Sequence, residues 1–400
     1  MRLVLPALLF VTSACAQTTW SPGLLPPEQT TVIDSGSGAR VTTITNHPKD
    51  DVNLYFHQRA WLPDSSLMVF RSDRTGTRDL HAFIAATGAL ARLGGPLLGD
   101  ATVSRTSNRV YVAGLGEEKR HVGYWGLALA PGAESRLEVK ETLIAPLPEG
   151  WALAGLTETS DGKTLVLGMT TEKPTASVIF RLDIATGALS EVTRFDFKTY
   201  HVQASWTTPD LVMFCPFGED RAERQPDGSL NQRMWLVDTS GRAPWPLYPQ
   251  LEGEIVTHES FWVNDTVTFL SGIPHEGPAL ESHLKVVDVK TGRAHIAGAG
   301  AWLPGLPAEE LARANWWHAA GSPDGRFLVA DNWHGDIAIF SAQTARCRIL
   351  TSGHRAYGKG EHPHVGWRSD SRAVHFGDTT QGNVNVVVAE LPEAWLTEAW

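Results

Sequence analysis

The stretch GSPDGRFLVADN, residues 321–332, places a Pro-Asp-Gly turn directly before an alternating apolar strand, and DIAIFSAQTARCRIL (336–350) follows with a second strand. The same succession of turn and paired strands recurs along the chain of 400 residues. The six other segments with this pattern are WLPDSSLMVFRSD (61–73), VSRTSNRVYVAG (103–114), ETSDGKTLVLG (158–168), WTTPDLVMFCP (206–216), WVNDTVTFLSG (262–272) and WRSDSRAVHFGD (367–378). Repetition of this kind indicates one structural unit used several times.

Seven copies are spaced by roughly 40–60 residues, and each is long enough to form about four short strands. This pattern is typical of β-propeller blades. We therefore predict an all-β fold, a seven-bladed β-propeller with TolB- or WD40-like blades, as a single domain over residues 17–400. The last copy lacks its return strands, and the hairpin-like segment 31–45 is predicted to pair with it and close the ring. The alternative is a pair of β-sandwiches. Only residues 307–317 have helical character.

The N-terminal segment 1–16, MRLVLPALLFVTSACA, has one basic residue, an apolar run and small residues before Gln17, as a secretion signal does. A periplasmic or secreted protein is the expectation. Because Ser13-Ala14-Cys15 loosely resembles a lipoprotein box, a lipid anchor at Cys15 is the alternative to a soluble form. No other segment approaches the ~20 apolar residues of a membrane span.

The chain carries a formal net charge of −10, which argues against nucleic acid or an anionic membrane as its main partner. An anionic ligand would therefore need a local basic pocket. Cys215 and Cys347 lie in apolar, strand-like contexts, so buried free thiols are expected at both positions, with a disulfide as the alternative.

Histidines lie just before the turn in five of the seven repeats: His57, His201, His258, His318 and the pair His362/His364. Equivalent positions in different blades converge around the central channel. His318, His362 and His364 are therefore candidate ligands of one Mn, Fe, Ni or Zn ion, metals that imidazole suits. In HPH, residues i and i+2 of an extended strand share a face. The alternative is a pair of strand-end histidines bonded to neighbouring loops.

Other residues near the same end of the central channel are candidates for binding or proton transfer. His258, kept neutral, could take a proton, or else pack beside Trp262. Arg233 could bind a carboxylate with two hydrogen bonds, or form an ion pair with an acidic residue at the rim of the channel. The remaining candidates for contacts to hydroxyls, carboxylates or the cation are His57, Gln58, Arg59, His201, Gln203, Lys359 and Glu361.

The motifs YFHQRAWLPDSSLMVF, HVQASW, RMWLVDTSG, THESFWV, WHAAGSPDGRFLVAD and HPHVGW, in this order, resemble those of the oligogalacturonate lyases of polysaccharide lyase family 22. The resemblance implies a seven-bladed propeller with a divalent cation, usually Mn²⁺, held by three histidines and a glutamine. Residue by residue it assigns the histidine ligands to His318, His362 and His364, the base to His258 and the accompanying arginine to Arg233.

This chain departs from the family pattern at the fourth ligand. Lys359 stands where the family has glutamine, and a protonated lysine is a poor ligand. Glu361 or water is then the candidate replacement. A signal peptide and a longer stretch between His258 and His318 are further departures.

The activity that the resemblance implies is β-elimination on an acidic oligosaccharide, an oligogalacturonide. A cation and Arg233 would mask the uronate carboxylate, and His258 would remove the adjacent C5 proton. Two alternatives stay open: a lyase acting on another uronate glycan such as ulvan, and a non-catalytic TolB-like propeller that binds a protein or glycan.

Overall fold

The computed structural model describes residues 17–99, 101–130, 136–172, 175–216, 227–239, 242–273, 281–301, 303, 305–355, 362–398 and 400. The predicted signal segment with Cys15 lies outside these ranges, as do Lys359 and Glu361. Within the described ranges, no helix is both long and apolar enough to cross a membrane.

The described residues form short strands almost throughout. In the first part of the chain the strands are β1 (Gln17–Trp20), β2 (Leu24–Leu25), β3 (Thr30–Ile33), β4 (Arg40–Thr43), β5 (Asp51–Asn53), β6 (Leu67–Ser72), β7 (Asp79–Ile84), β8 (Leu90–Gly94), β9 (Thr102–Val103), β10 (Arg109–Leu115), β11 (His121–Leu129), β12 (Leu137–Pro146), β13 (Ala152–Glu158), β14 (Thr164–Glu172), β15 (Thr175–Asp183) and β16 (Leu189–Phe195).

The second part continues with β17 (Thr199–Ala204), β18 (Leu211–Pro216), β19 (Trp235–Asp238), β20 (Trp245–Pro246), β21 (Ile255–Trp262), β22 (Thr266–Ile273), β23 (Glu281–Asp288), β24 (Ala294–Gly298), helix α1 (Ala308–Ala314), β25 (Trp316–Gly321), β26 (Phe327–Asn332), β27 (Ile337–Ser341), β28 (Cys347–Thr351), β29 (Gly366–Trp367), β30 (Ala373–Asp378), β31 (Asn385–Glu390) and helix α2 (Glu393–Thr397). The helical expectation for residues 307–317 is confirmed in α1, although Trp316 and Trp317 already belong to β25.

These strands form seven antiparallel sheets, the blades of a β-propeller. From the centre outward, blade 1 is β5-β6-β7-β8-β2, blade 2 is β9-β10-β11-β12-β1, blade 3 is β13 to β16, blade 4 is β17 to β20, blade 5 is β21 to β24, blade 6 is β25 to β28 and blade 7 is β29-β30-β31-β4-β3. The first strands of neighbouring blades contact one another around the axis. The predicted seven-bladed fold is confirmed.

The Pro-Asp-Gly turn of residues 321–332 joins β25 to β26 as the sequence predicts. The Asp324 carboxylate accepts hydrogen bonds from the Ser322 hydroxyl (2.6 Å) and the Arg326 amide (3.0 Å). Gly325 has a φ of +78°, a conformation that glycine adopts without a steric penalty. The turn therefore directs the chain from the innermost strand of blade 6 into the next strand.

The middle strands of the blades are buried on both faces because each blade is covered by its two neighbours. Strands β6, β7, β18 and β26 are almost wholly buried. Outer strands such as β28 contain both exposed and buried residues, and Cys347 on β28 is exposed. The expectation of a buried thiol was right for Cys215 and wrong for Cys347, because β28 lies at the outer edge of its blade.

The hairpin β3–β4 pairs with the last strand of blade 7, and Val41 on β4 lies opposite Ala389 on β31. Strands β1 and β2 add outer edges to blades 2 and 1, which the repeat pattern did not predict.

Candidate metal and catalytic site

Three successive innermost strands carry a β-bulge at the histidine that the repeat pattern singled out. The register shifts between Tyr200 and Gln203 in β17, between Thr257 and Ser260 in β21, and between Trp316 and Ala319 in β25. A bulge inserts an unpaired residue and redirects its side chain, and such bulges are frequent next to active sites. His201, His258 and His318 lie within these three irregularities.

The backbone at several of these histidines is in the left-handed region. The φ angles are +48° at His201, +54° at His258 and +47° at His364. Residues other than glycine adopt this backbone conformation at a cost of about 1–3 kcal/mol, and such residues cluster at functional sites. The extended conformation expected for the HPH segment is wrong at His364, which precedes β29 in this left-handed turn.

His318, His362 and His364 nevertheless come together, as predicted. One ring nitrogen from each lies within 4.8 Å of those of the other two. Nδ1 of His362 is 3.4 Å from Nε2 of His318, and the ring centres of His318 and His364 are 4.9 Å apart. Burial, with the neighbouring imidazoles, lowers the pKa of His318 and of His364 well below the usual value, so both rings are neutral and offer lone pairs.

Asp331, on β26, orients the buried member of this cluster. Its carboxylate accepts hydrogen bonds from the His318 backbone amide (2.8 Å) and from Nδ1 of the His318 ring (2.9 Å), and both side chains are fully buried. Nδ1 therefore carries the proton, and Nε2 faces the other two histidines. A carboxylate behind a histidine is the usual support of a metal-binding imidazole.

His258 lies directly against this cluster. Its ring centre is 4.0 Å from that of His318 and 5.3 Å from that of Trp317. Its Nδ1 is buried and makes no hydrogen bond to the described residues. Burial and the nearby His318 and His201 lower the pKa of His258 well below its usual value, so the imidazole is neutral. A neutral imidazole with an unused nitrogen can accept a proton.

Glu259, the next residue, is the centre of a second cluster beneath the mouth. Its carboxylate is 2.5 Å from Nδ1 of His201, 2.7 Å from Sγ of Cys215 and 3.3 Å from Nε of Arg233. Burial raises the pKa of Glu259, but the charge of Arg233 and the hydrogen bond with His201 outweigh it and hold the pKa well below its usual range. Arg233 is itself buried, with Nη2 3.3 Å from Nδ1 of His201.

Tyr55 extends this cluster toward the ligand cluster. Its hydroxyl is 3.2 Å from Nε2 of His201, and its ring centre lies 4.6 Å from that of His364. A continuous set of contacts thus joins Glu259, His201, Tyr55 and His364.

The remaining predicted binding residues fall into two groups. His57 and His201 line a cavity of about 290 Å³ that also touches His364. Gln58, Arg59 and Gln203 do not line this cavity. Gln58 and Arg59 line a 40 Å³ interior space, and the buried Gln203 amide bonds the backbone of Glu259 and Phe261 at 2.8 and 3.3 Å.

Sequence reasoning missed Tyr55, Asp331 and Glu259. A usable signal existed for the acids. Glu259 and Asp331 are acidic residues in strands that begin with apolar runs, IVTHESFW and FLVADN, and a buried carboxylate needs a partner.

No protein-family model and no curated protein matches the sequence. Among solved structures, an oligogalacturonate lyase from Vibrio parahaemolyticus superposes with a TM-score of 0.74 at 17% identity, over 94% of this chain and 100% of that one. An oligogalacturonate lyase in complex with manganese gives a TM-score of 0.74 at 19% identity, over 94% and 99% of the two chains. The chain therefore has the fold of the oligogalacturonate lyases.

Proposed function

We propose that this protein is a metal-dependent lyase that cleaves oligogalacturonides by β-elimination. The observation that carries the proposal is the neutral His258 ring, with an unpartnered buried nitrogen, set 4.0 Å from a member of a three-histidine cluster. A base beside a cation site is what removal of a proton next to a carboxylate requires. The shared fold with oligogalacturonate lyases supports the same reaction class.

The three histidines fit a divalent cation. Their ring nitrogens converge, burial keeps His318 and His364 neutral, and Asp331 fixes the ring of His318 with Nε2 toward the cluster. Imidazole suits several first-row divalent ions, and because one similar structure holds manganese we propose Mn²⁺. A cation there would bind the uronate carboxylate and offset its charge, which makes the neighbouring C5 proton more acidic.

His258 then takes the C5 proton of the uronate. The electron pair of the C5–H bond becomes the second bond between C4 and C5. The C4–O4 bond breaks, its electron pair remains on O4, and O4 takes a proton from solvent and leaves as a hydroxyl, while His258 gives the C5 proton back to solvent. The products are a saturated sugar end and an unsaturated uronate, and no water is consumed.

Arg233 is assigned a supporting task in this scheme. Because its Nε and Nη2 lie 3.3 Å from Glu259 and His201, its charge keeps Glu259 ionised, and Glu259 in turn orients the His201 ring. Arg233 thereby fixes the wall of the site beside His258. We also propose, from residues 1–16, that the enzyme acts in the periplasm or outside the cell.

The test is a turnover assay on oligogalacturonate with Mn²⁺, following the ultraviolet absorbance of the unsaturated uronate. We expect His258→Ala to lower kcat by about 10²–10⁴-fold with Mn²⁺ binding retained, because general base catalysis is worth that much. We expect His318→Ala to lose the metal. His295→Ala, at an exposed position on β24, is the matched control.

Three results would contradict the proposal. Absence of turnover on any oligouronide, ulvan fragments included, with several divalent metals would refute the lyase activity. Turnover of ulvan fragments alone would move the substrate to the other uronate glycan. Unchanged ligand binding and no turnover in both wild type and His258→Ala would favour a binding propeller.

A further inference from the structure

A small interior space lies further along the central channel than the three-histidine cluster. Its volume is about 40 Å³, and it is surrounded by residues in or next to the innermost strands, among them Gln58, Arg59, Trp206, Ser260, Gly321 and Gly366. Ser260 and Gly321 come after His258 and His318 on β21 and β25. The space therefore lies toward the turns that lead from the innermost strands into the second strands.

Two buried nitrogens at this space make no hydrogen bond to the part of the chain that the structure describes. They are Nε of Arg59 and Nε2 of Gln58. None of the described residues that line the space is acidic. A buried donor without an acceptor costs free energy, and the cost is larger for a charged donor. Donors of this kind require an ordered water or an ion as their partner.

The charge around Arg59 is unbalanced. Arg105, just after β9 in blade 2, stacks its guanidinium on Trp206, with Cζ 4.1 Å from the ring centre. Within the described ranges, Glu158 is the carboxylate that acts on both arginines. Glu158 accepts hydrogen bonds from neutral groups, the Ser104 hydroxyl (2.8 Å) and the Arg105 backbone amide (2.7 Å). Two guanidinium groups therefore share one carboxylate.

The effect of burial on the two arginines agrees with this imbalance. Burial lowers the pKa of Arg59 to about 10, and the charge of Glu158 offsets only part of this shift. Burial and the charge of Arg59 lower the pKa of Arg105 well below its usual value. A guanidinium nevertheless stays protonated in proteins, so one positive charge is buried in excess. A buried charge of this kind needs a counterion.

We propose that this space binds a monatomic anion, chloride in physiological solution, against Nε of Arg59 and Nε2 of Gln58. Size selects the ion, because one water needs about 10–15 Å³ and sugar-sized ligands occupy pockets of about 300–1,000 Å³. A volume of about 40 Å³ thus fits a halide, with a water beside it, and excludes a uronate. The anion neutralises the excess charge and stabilises the innermost strands behind the histidines. This site does not depend on the lyase activity.

The first experiment measures the melting temperature of the protein, loaded with manganese sulfate and without substrate, as chloride rises from about 1 to 100 mM. Sodium sulfate keeps the ionic strength constant, and its replacement alone would lower the melting temperature of every variant. For a dissociation constant of about 1 mM we expect a saturating rise of about 3 °C. The rise should be absent in Arg59→Met and intermediate in Gln58→Leu, which keeps the charge but removes one donor.

Arg40→Met, which removes an equal charge from an exposed position on β4, is the matched control and should keep the full rise. Chloride bound at the manganese instead would give a rise that survives Arg59→Met. That result, or a wild-type protein without a chloride-dependent rise, overturns the proposal and leaves the lyase proposal standing.

The second experiment needs no variant, so it decides the question even where Arg59→Met fails to fold. Crystals of the wild-type protein grown with sodium bromide are measured at the bromine absorption edge. We expect an anomalous difference peak in the space, within hydrogen-bond distance of Nε of Arg59. Density there without anomalous signal would show that water fills the space and would overturn the proposal.

Discussion

Replacing Asp331 by asparagine should move a proton on His318. The carboxylate now accepts from the backbone amide at 2.8 Å and from Nδ1 of the ring at 2.9 Å. Asparagine has one carbonyl oxygen, which can keep the backbone hydrogen bond, and an NH₂ group that would then face Nδ1. Two donors cannot share that contact, so the ring proton shifts to Nε2, the nitrogen 3.4 Å from His362.

A protonated Nε2 cannot bind a cation, so metal affinity must fall. Loss of a carboxylate behind a histidine ligand typically weakens binding by 10- to 100-fold, or about 1.4–2.8 kcal/mol. We expect the loss of affinity in Asp331→Asn to lie at the upper end of this range, because the Asp331 and His318 side chains are fully buried and water cannot replace the lost acceptor. The assay is calorimetric titration of Mn²⁺ into protein stripped with a chelator, with melting temperature recorded on the same samples.

Asp336→Asn is the matched control. Asp336 also accepts from a histidine of blade 6, Nδ1 of His334 at 3.2 Å, but His334 is outside the three-histidine cluster. This variant should bind Mn²⁺ as the wild type does. Equal affinity of the Asp331→Asn protein and the wild type, with both folded, would refute the reasoning about the tautomer.

Three further predictions concern stability and the support of the site. Desolvation lowers the pKa of buried His375 from 6.5 to about 3, so between these pH values the unfolded chain binds a proton that the native state does not. This one group should therefore lower the free energy of unfolding by about 1.4 kcal/mol for each pH unit from 6.5 down to about 3. Urea unfolding of His375→Gln should show a correspondingly flatter pH dependence. Glu259→Gln leaves Arg233 buried without its counter-charge and should lower the free energy of unfolding by about 3 kcal/mol, measured by urea titration; a loss below about 1 kcal/mol would argue against this ion pair. Asn53 donates to the backbone carbonyl of His364 at 2.8 Å, so Asn53→Ala should cost about 1–3 kcal/mol and weaken Mn²⁺ binding; an unchanged melting temperature and affinity would show that this bond is dispensable.

The fold was predictable because its signals are local. Each blade repeats a turn such as Ser322 to Gly325 and an alternating strand, and both depend on residues adjacent in sequence. The convergence of His258, His318 and His364 followed from their equivalent places in the repeat. The expectation that segment 31–45 pairs with the last blade needed one further argument, that a blade without return strands requires a partner.

The parts of the site that sequence did not predict depend on contacts between strands and on broken alternation. Asp331 contacts His318 between two strands of blade 6, and Arg233 of blade 4 contacts Glu259 of blade 5. The spacing of these residues along the chain therefore does not reveal either pair. Gln203 was expected, like His201, to contact hydroxyls or carboxylates of a ligand. A bulge lies between Tyr200 and Gln203, and the Gln203 amide bonds the backbone of blade 5.

The pairing of β4 with β31 has a consequence for biosynthesis. Val41 lies opposite Ala389, so nearly all of the chain must leave the ribosome before this contact forms. Contacts of such large sequence separation form slowly, and an unpaired strand edge can meanwhile pair with another chain. The hairpin β3–β4 is thus synthesised early and paired late, and in this interval its free edge is exposed to other chains.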